Sequence, residues 1–250
     1  MTTFIGVGVG PGDPDLLTIK AVNQLREADR IFVPVLDPSV PGRAEMIIRP
    51  HLPDADARIE RLVFAMSDPV TGPQRVRKQH WSDAANTVAG WFAGRPGSTA
   101  VFCTLGDPAV YSTFGYLADA VRDLLPQVKI EFSPGITAAQ GVAALAGITL
   151  SEGTEPLTIV PVSRDTATLR VALNGPGTVV AYKGGRRLAD LIEAVGEAGA
   201  ADRAVYAEHI GSPDQKVLPL SALTQKEQDE APYLSTVVIL PLRGGRGEQL

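Results

Sequence analysis

The chain opens on a loop that would let a ligand approach bare backbone. Residues 6–13 read GVGVGPGD, with a glycine at every second position. No register gives G-x-G-x-x-G, because Pro11 and Asp13 stand where the closing glycines would fall, and no G-K-[ST] is present, so NAD and ATP fit poorly. The loop predicts a tight strand-to-helix turn, with Asp13 or Asp15 capping the helix. Taken alone, it is as compatible with a structural turn as with a ligand site.

Two later loops carry polar groups suited to a polar ligand. Thr104–Pro108 contains Asp107, whose carboxylate can accept hydrogen bonds from an ammonium or a ribose, each worth about 1.5–3 kcal/mol because one partner is charged. Ser133–Ala139 offers a hydroxyl and free backbone N–H groups. Both loops end predicted strands, where open parallel sheets usually bind ligands. An equally good alternative is that Asp107 caps the next helix and binds no ligand.

A fourth loop gathers positive charge at the end of another predicted strand. Ala181–Arg187 holds Lys183, Arg186 and Arg187, whereas the whole chain has a net charge of −5. A cationic cluster in an acidic protein indicates a ligand that bears carboxylates. The alternative is a solvated basic turn.

The elements that would position these loops follow an α/β pattern. Strand-like runs alternate with helical stripes, one of which has Val110, Phe114, Leu117 and Val121 on a single face, so a mainly parallel sheet is expected. We expect two α/β domains, 1–133 and 134–242, with a tail at 243–250 and a ligand crevice between the domains. A short second strand should close at Pro34. The run 234–240 should pair with 216–220 and make the second domain partly antiparallel.

Composition narrows the class of protein. The 250 residues include 23 Lys and Arg against 28 Asp and Glu, which disfavours nucleic acid as a partner. Neither an export signal nor a membrane-spanning run of about 18 apolar residues is present, so a cytoplasmic protein is expected. The single cysteine, Cys103, lies in an apolar run and predicts neither a disulfide nor a metal site.

Together the four loops resemble one family. GVGVGPGD, LGDP, SPGITAA and AYKGG occur in the order and spacing of the tetrapyrrole (corrin and porphyrin) methylases, over a stretch from Phe4 to about Leu242. Finer features resemble the branch that methylates precorrin-2 at C-20: Val33-Pro34, Ile48–Pro50, Phe64–Met66 with Asp68, Trp81 with Ala84-Ala85, and Thr104–Thr113. The resemblance implies two α/β domains, S-adenosylmethionine (SAM) as co-substrate in the cleft, precorrin-2 or its cobalt complex as methyl acceptor, and a homodimer.

The resemblance also implies roles for single residues. Positions that match the SAM site of the family are Pro11, Gly106, Asp107, Val110, Thr137, Ala138 and Lys183. Pro11 would lie beside the reacting centre, and Lys183 stands where many relatives have a methionine that contacts SAM through its backbone. Pro34 replaces an acidic residue proposed as the base in the uroporphyrinogen-methylating branch, so any base must lie elsewhere.

The expected reaction requires no strongly nucleophilic side chain. Transfer of a methyl group from a sulfonium to an electron-rich meso carbon mainly requires alignment and exclusion of water. A proton must then leave the methylated carbon, and Tyr111, Glu208, His209, Asp37 or water could accept it. Arg43, Arg186 and Arg187 are the leading candidates to bind the substrate carboxylates, and further basic candidates are Arg49, Arg75, Arg77 and Lys78.

Several alternatives remain open at the level of sequence. The nearest are methylation of another corrin carbon and methylation of uroporphyrinogen III. The diphthine synthase and ribosomal-RNA methylase branches share the fold, but their macromolecular substrates fit poorly with the net charge of −5 and with the features at Phe64–Asp68 and Trp81. From a different class, the chain could be a non-catalytic SAM-binding regulator.

Overall fold

The computed structural model describes residues 1–64, 74–162 and 164–245, with the side chains of 74–78 left out. The chain divides into two compact units, Met1–Thr137 and Ala138–Leu250. Among the described residues, no helix is long and apolar enough to cross a membrane.

The first unit is built on a parallel sheet. Its strands are β1 (Thr3–Gly8), β2 (Arg30–Val35), β3 (Ile59–Val63), β4 (Thr99–Thr104) and β5 (Lys129–Ser133). They run in the order β3-β2-β4-β1-β5, and every pairing is parallel. The carboxyl ends of the strands therefore lie at one edge of the sheet, and the loops that follow β1, β4 and β5 all leave from that edge.

Helices cover both faces of this sheet, which explains why its central strands read as nearly continuous apolar runs. The helices are α1 (Ile19–Glu27), α2 (Arg43–Ile48), α3 (Gln74–Phe92) and α4 (Phe114–Leu124). Alternate strand residues serve the two faces. Phe4, Phe32 and Phe102 pack with α3 and α4, whereas Val7 and Cys103 pack with α1 and α2.

The second unit has a mixed sheet. Its strands are β6 (Leu157–Pro161), β7 (Thr178–Tyr182), β8 (Ala204–Glu208), β9 (Lys216–Pro219) and β10 (Thr236–Ile239). Its helices are α5 (Ala138–Ala146), α6 (Ala167–Leu173), α7 (Leu188–Glu197) and α8 (Gln225–Asp229). The order is β6-β7-β10-β8-β9, in which only the β6–β7 pairing is parallel. Leu169 of α6 and Leu191 of α7 belong to its core.

The predicted partner of the last strand is wrong. β10 pairs with β7 and β8, and the 216–220 run pairs with β8 instead. Burial explains the arrangement, because all four β10 residues are buried and require neighbours on both sides. β9 is only half-buried and lies at the edge of the sheet.

Three local predictions also need correction. Pro34 lies inside β2, where it is tolerated because the ladder to β4 stops at Phe32 and requires no N–H from Pro34. Val110 precedes α4, which begins at Phe114. The helix α1 is capped by the Thr18 hydroxyl, whereas Asp13 caps a separate 3-10 turn at Pro14–Leu16.

The segment assigned to the tail begins with a structural contact. Arg243 holds two segments of the second unit together. Its Nε and Nη2 donate to the two carboxylate oxygens of Glu155 at 2.9 and 2.6 Å. Its Nη1 donates to the Thr149 carbonyl at 3.1 Å. Residues 246–250 lie outside the described part of the chain.

Candidate active site

Three loops meet at the carboxyl edge of the first sheet with almost no side chain between them. A Cβ on Gly8 would lie 2.6 Å from the Gly106 carbonyl oxygen, and a Cβ on Gly135 would lie 2.2 Å from the same atom. Both positions therefore require glycine. Gly106 N also donates to the Gly10 carbonyl at 2.8 Å. The sequence-predicted loops after β1, β4 and β5 thus form one backbone-lined surface.

Asp107 joins two of these loops. Its Oδ1 accepts from Ala109 N at 2.7 Å, and its Oδ2 accepts from Gly135 N at 3.0 Å. The carboxylate therefore holds the turn after β4 against the loop after β5. Because each carboxylate oxygen can accept more than one hydrogen bond, this role leaves capacity for a ligand donor.

The turn between Asp107 and α4 is held by further side-chain contacts. Ser112 Oγ lies 2.9 Å from Thr104 Oγ1 and accepts from Phe114 N at 3.0 Å. Tyr111, which this turn presents, is 44% exposed and has a φ of +51°. A non-glycine residue in this region costs roughly 1–3 kcal/mol and persists where its surroundings fix it.

In the second unit, Lys183 follows β7 in a constrained loop. Its φ is +61°, its N donates to the Ser235 carbonyl at 3.1 Å, and burial lowers the pKa of its half-buried ammonium. The hydroxyl of Tyr182 accepts from Ala139 N at 2.9 Å, which ties the start of α5 to the end of β7. The structure thereby brings Ala138 and Lys183 to the same end of the second unit.

The two arginines after Lys183 are exposed. Arg187 Nη1 lies 3.2 Å from an Asp190 carboxylate oxygen, and the Arg186 guanidinium lies 5.3 Å from the centre of the Tyr233 ring. Exposed ion pairs contribute about 0–1 kcal/mol, so Arg187 can exchange Asp190 for another carboxylate at small cost.

Basic candidates in the first unit differ in their freedom to bind a substrate. Arg43 opens α2 and is half-buried. Arg49 is engaged structurally, with Nε donating to the buried Glu45 at 2.9 Å and Nη1 donating to Asp56 at 2.6 Å. This ion-pair cluster, which sequence reasoning missed, assigns Arg49 a structural role.

The family model for the tetrapyrrole (corrin/porphyrin) methylases matches residues 3–224 of the chain. The chain belongs to this family. All four loops identified from the sequence fall within the matched region.

Two relatives match large parts of the chain. A precorrin-2 C(20)-methyltransferase from Sinorhizobium sp is 33% identical over 241 residues, which cover 94% of each chain. A probable cobalt-precorrin-2 C(20)-methyltransferase from Methanocaldococcus jannaschii is 36% identical over 160 residues, 64% of each chain.

A solved structure shows the same fold. The uroporphyrin-III C-methyl transferase from Thermus thermophilus, in a complex with S-adenyl homocysteine, has a TM-score of 0.64 and 20% identity. The alignment covers 94% of this chain and 96% of that chain. The predicted α/β class and fold type are confirmed.

The candidate proton acceptors have different surroundings within the tetrapyrrole methylase scaffold. Asp37 lies in an exposed turn, where hydrogen bonds from the Ser39 hydroxyl and then the Ser39 N lower the pKa of its carboxyl. Glu208 accepts from the Tyr206 hydroxyl at 2.5 Å and lies 3.3 Å from Lys216 Nζ. His209 follows it with a φ of +51°.

Backbone conformation supplies a signal that sequence reasoning missed. Within the described residues, the non-glycine positions with positive φ are Tyr111, Lys183 and His209. The sequence identifies all three as candidates by side-chain type or by resemblance, and no sequence pattern indicates their positive φ.

Met66 and Asp68 lie outside the described residues, as do the side chains of Arg75, Arg77 and Lys78.

Proposed function

We propose that the protein transfers the methyl group of SAM to C-20 of precorrin-2, or of its cobalt complex, in cobalamin biosynthesis. The observation that carries this proposal is the 33% identity, over 94% of both chains, with the Sinorhizobium protein named precorrin-2 C(20)-methyltransferase. The Methanocaldococcus relative carries the name of the cobalt form, which keeps both acceptors under test.

SAM binding is supported by features of the first unit. The surface around Gly106 is lined by backbone, and a Cβ there would meet only atoms 3.9 Å away, so the site has room for a polar ligand edge. Two residues before Gly135, whose N donates to Asp107, the buried Ser133 hydroxyl makes no hydrogen bond within the described residues. We assign SAM contacts to Pro11, Gly106, Asp107, Val110, Thr137, Ala138 and Lys183. The solved relative with S-adenyl homocysteine supports this donor.

The residues of the chain serve the reaction mainly by positioning. Bound SAM supplies an electrophilic methyl group, and the electron-rich meso carbon requires alignment more than activation. Asp107 fixes the two loops that hold the donor. Lys183 lies in a loop that is fixed by the hydrogen bond from its N to the Ser235 carbonyl, and burial lowers the pKa of its ammonium.

The substrate carboxylates are assigned to Arg43, Arg186 and Arg187. A guanidinium suits this task because its planar fork can donate two parallel hydrogen bonds to one carboxylate. Arg186 and Arg187 are exposed, and their present partners are an aromatic ring and an exposed aspartate.

We further propose that the protein is a cytoplasmic homodimer. An exposed aromatic surface in the first unit supports self-association, since Tyr116 is 60% exposed while its ring stacks on Trp81 at 4.8 Å. Light scattering at micromolar concentration should give the mass of a dimer. A monomer under those conditions would remove this part of the proposal.

The decisive experiment supplies the substrates directly. Anaerobic incubation of the protein with SAM and either precorrin-2 or its cobalt complex should add one methyl group by mass. Carbon-13 from labelled SAM should appear at C-20. Methylation at another ring carbon would reassign the branch, and the absence of turnover with SAM bound would indicate a non-catalytic regulator.

A further inference from the structure

The segment between β2 and α2 presents apolar side chains to solvent. We call residues 36–42 the β2–α2 loop, in which Leu36 is 62% exposed and Val40 is 54% exposed. Val40 N lies 3.4 Å from the Asp37 carbonyl oxygen, so both side chains belong to one tight turn. Single exposed apolar residues are common on protein surfaces, whereas two on one turn gain free energy when a ligand covers them.

This loop is held in place from two sides. Arg61 of β3 donates through Nη1 to the Pro38 carbonyl at 3.0 Å, and its Nε and Nη2 donate to the two carboxylate oxygens of Glu45 at 2.7 and 2.9 Å. The Glu45 side chain has no exposed surface. At the end of the loop, a Cβ on Gly42 would lie 2.6 Å from the Pro34 carbonyl oxygen, so the chain returns closely against β2. The apolar side chains therefore project from a fixed backbone.

The loop leaves from the edge of the sheet that carries the loops assigned to SAM. Because β2 is the neighbour of β4, the β2–α2 loop leaves beside the loop that follows β4. Packing joins these segments, since Val9 after β1 and Ala44 of α2 belong to one hydrophobic cluster against which Leu105 packs. Beyond α2, His51 Nε2 donates to the Pro14 carbonyl at 3.1 Å, which ties this helix to the turn after the glycine-rich loop.

The chemistry of the loop matches a ligand with an apolar face and an anionic rim. Arg43, assigned above to a substrate carboxylate, follows the loop directly at the start of α2. A tetrapyrrole presents both features. We propose that the β2–α2 loop is part of the methyl-acceptor site, in which Leu36 and Val40 contact a face of the macrocycle and Arg61 is a positioning residue that holds them there. This inference rests on the proposed function and extends its substrate site.

Removal of the two apolar side chains tests the contact. Leu36→Ala combined with Val40→Ala should raise KM for the tetrapyrrole about tenfold, the effect of leaving about two methylene groups uncovered, and KM for SAM less than about twofold. Leu124→Ala combined with Val171→Ala is the matched control, because both residues are exposed and lie on α4 and α6. An equal rise in both KM values, or no change in either, would contradict the contact.

A lysine at position 61 tests the positioning role. Arg61→Lys keeps a positive charge beside Glu45 but lacks the fork that joins Glu45 to the Pro38 carbonyl. We expect KM for the tetrapyrrole to rise about tenfold, with kcat and KM for SAM within about twofold of the wild type. Arg30→Lys is the matched control, since Arg30 contacts a carbonyl and a carboxylate where β2 begins. A change of kcat alone, or equal effects of the two lysines, would count against positioning by Arg61.

A readout without turnover keeps this inference separate from the proposed function. Precorrin-2, or its cobalt complex, should slow hydrogen exchange at the amides of Ser39 and Val40 about threefold or more. Equal exchange with and without the tetrapyrrole would refute the subsite even if the enzyme methylates C-20. Protection without methyl transfer would refute the function alone. A loss of dimer mass in the Leu36 and Val40 variant, with KM unchanged, would make the loop a contact between copies and overturn the proposal.

Discussion

At the scale of single residues, polar side chains of the candidate site hold its loops together by hydrogen bonds in the absence of a ligand. Asp107 shows this, because both of its oxygens accept backbone N–H groups from two different loops. A carboxylate that also made the proposed contact with SAM would affect affinity in two ways, by that contact and by holding Gly135 in place. Its proposed contact with SAM should therefore be sensitive to truncation.

Replacing Asp107 by alanine should weaken SAM binding by about tenfold or more, because it removes a charged acceptor and frees the Gly135 loop. The fold should survive, since Asp107 lies in a half-exposed turn. Calorimetric titration with SAM measures the change, and circular dichroism checks the fold. Asp119→Ala, at an exposed ion pair, serves as the control. Unchanged affinity in a folded Asp107 variant would refute this assignment.

The buried Glu45 should make stability depend on acid pH. Arg61, then Arg49, lower the pKa of Glu45 against the opposing effect of burial. A lowered folded-state pKa gives stability that is complete above the unfolded value of 4.5 and is lost as the pH falls through the folded value. We expect Glu45→Gln to cost roughly 3 kcal/mol at pH 7 and less below about pH 4.5.

Urea unfolding at several pH values measures this difference. Glu60→Gln is the matched control, because Glu60 pairs with Arg30 across 3.7 Å at a partly exposed position and should cost at most about 1 kcal/mol. A cost of Glu45→Gln that did not change between pH 7 and pH 4 would contradict the expected linkage.

At the scale of elements, side chains from distant segments complete the ends of helices. Arg58 Nη1 donates to the carbonyls of Leu25, Arg26 and Ala28, at 3.1, 3.3 and 2.7 Å, where α1 ends. These carbonyls have no partner within the helix. Arg58→Ala should therefore cost about 1–2 kcal/mol of unfolding free energy, measured by urea denaturation. Arg26→Ala, on the exposed side of α1, should cost less than half as much, and equal losses would contradict the capping role.

The sequence predicted elements well where hydrophobic pattern decides them, and less well where pairing decides them. The loops predicted at the ends of β1, β4 and β7 lie where these strands end, because each strand is a buried run bounded by turn residues. The predicted pairing of β10 was wrong, because an apolar run indicates burial on both sides but does not specify which strands lie there.

In the candidate site, too, the sequence indicated the local features but not the contacts between distant segments. The glycines near residue 8 and residue 135 were recognisable as loops from composition alone. Their convergence on the Gly106 carbonyl depends on strand order, which local sequence does not specify. The clamp of Tyr206 and Lys216 on Glu208 joins two strands, and the sequence indicated Glu208 only as a carboxylate at a strand end.

At the scale of the whole molecule, the distribution of charge should matter more than the net charge for binding of the proposed substrate. The chain carries −5 overall, yet the proposed substrate bears many carboxylates. Long-range attraction therefore cannot drive binding, and a local basic cluster must hold the ring. Arg186 and Arg187 form such a cluster, since both are exposed in the loop that follows β7.

Substrate orientation should depend on these two arginines. Acetate and propionate groups surround the macrocycle, so arginines on one rim can fix the rotation that brings one meso carbon to the methyl group. We expect the wild type to methylate precorrin-2 or its cobalt form once and uroporphyrinogen III not at all. Replacing Arg186 and Arg187 by alanine should raise KM for the tetrapyrrole about tenfold and KM for SAM less than about twofold. Arg122→Ala and Arg170→Ala, at exposed ion pairs, are the controls. Steady-state kinetics with each substrate varied in turn decides the matter, since an equal rise in both KM values would mean that the arginines shape the site generally and do not hold the tetrapyrrole.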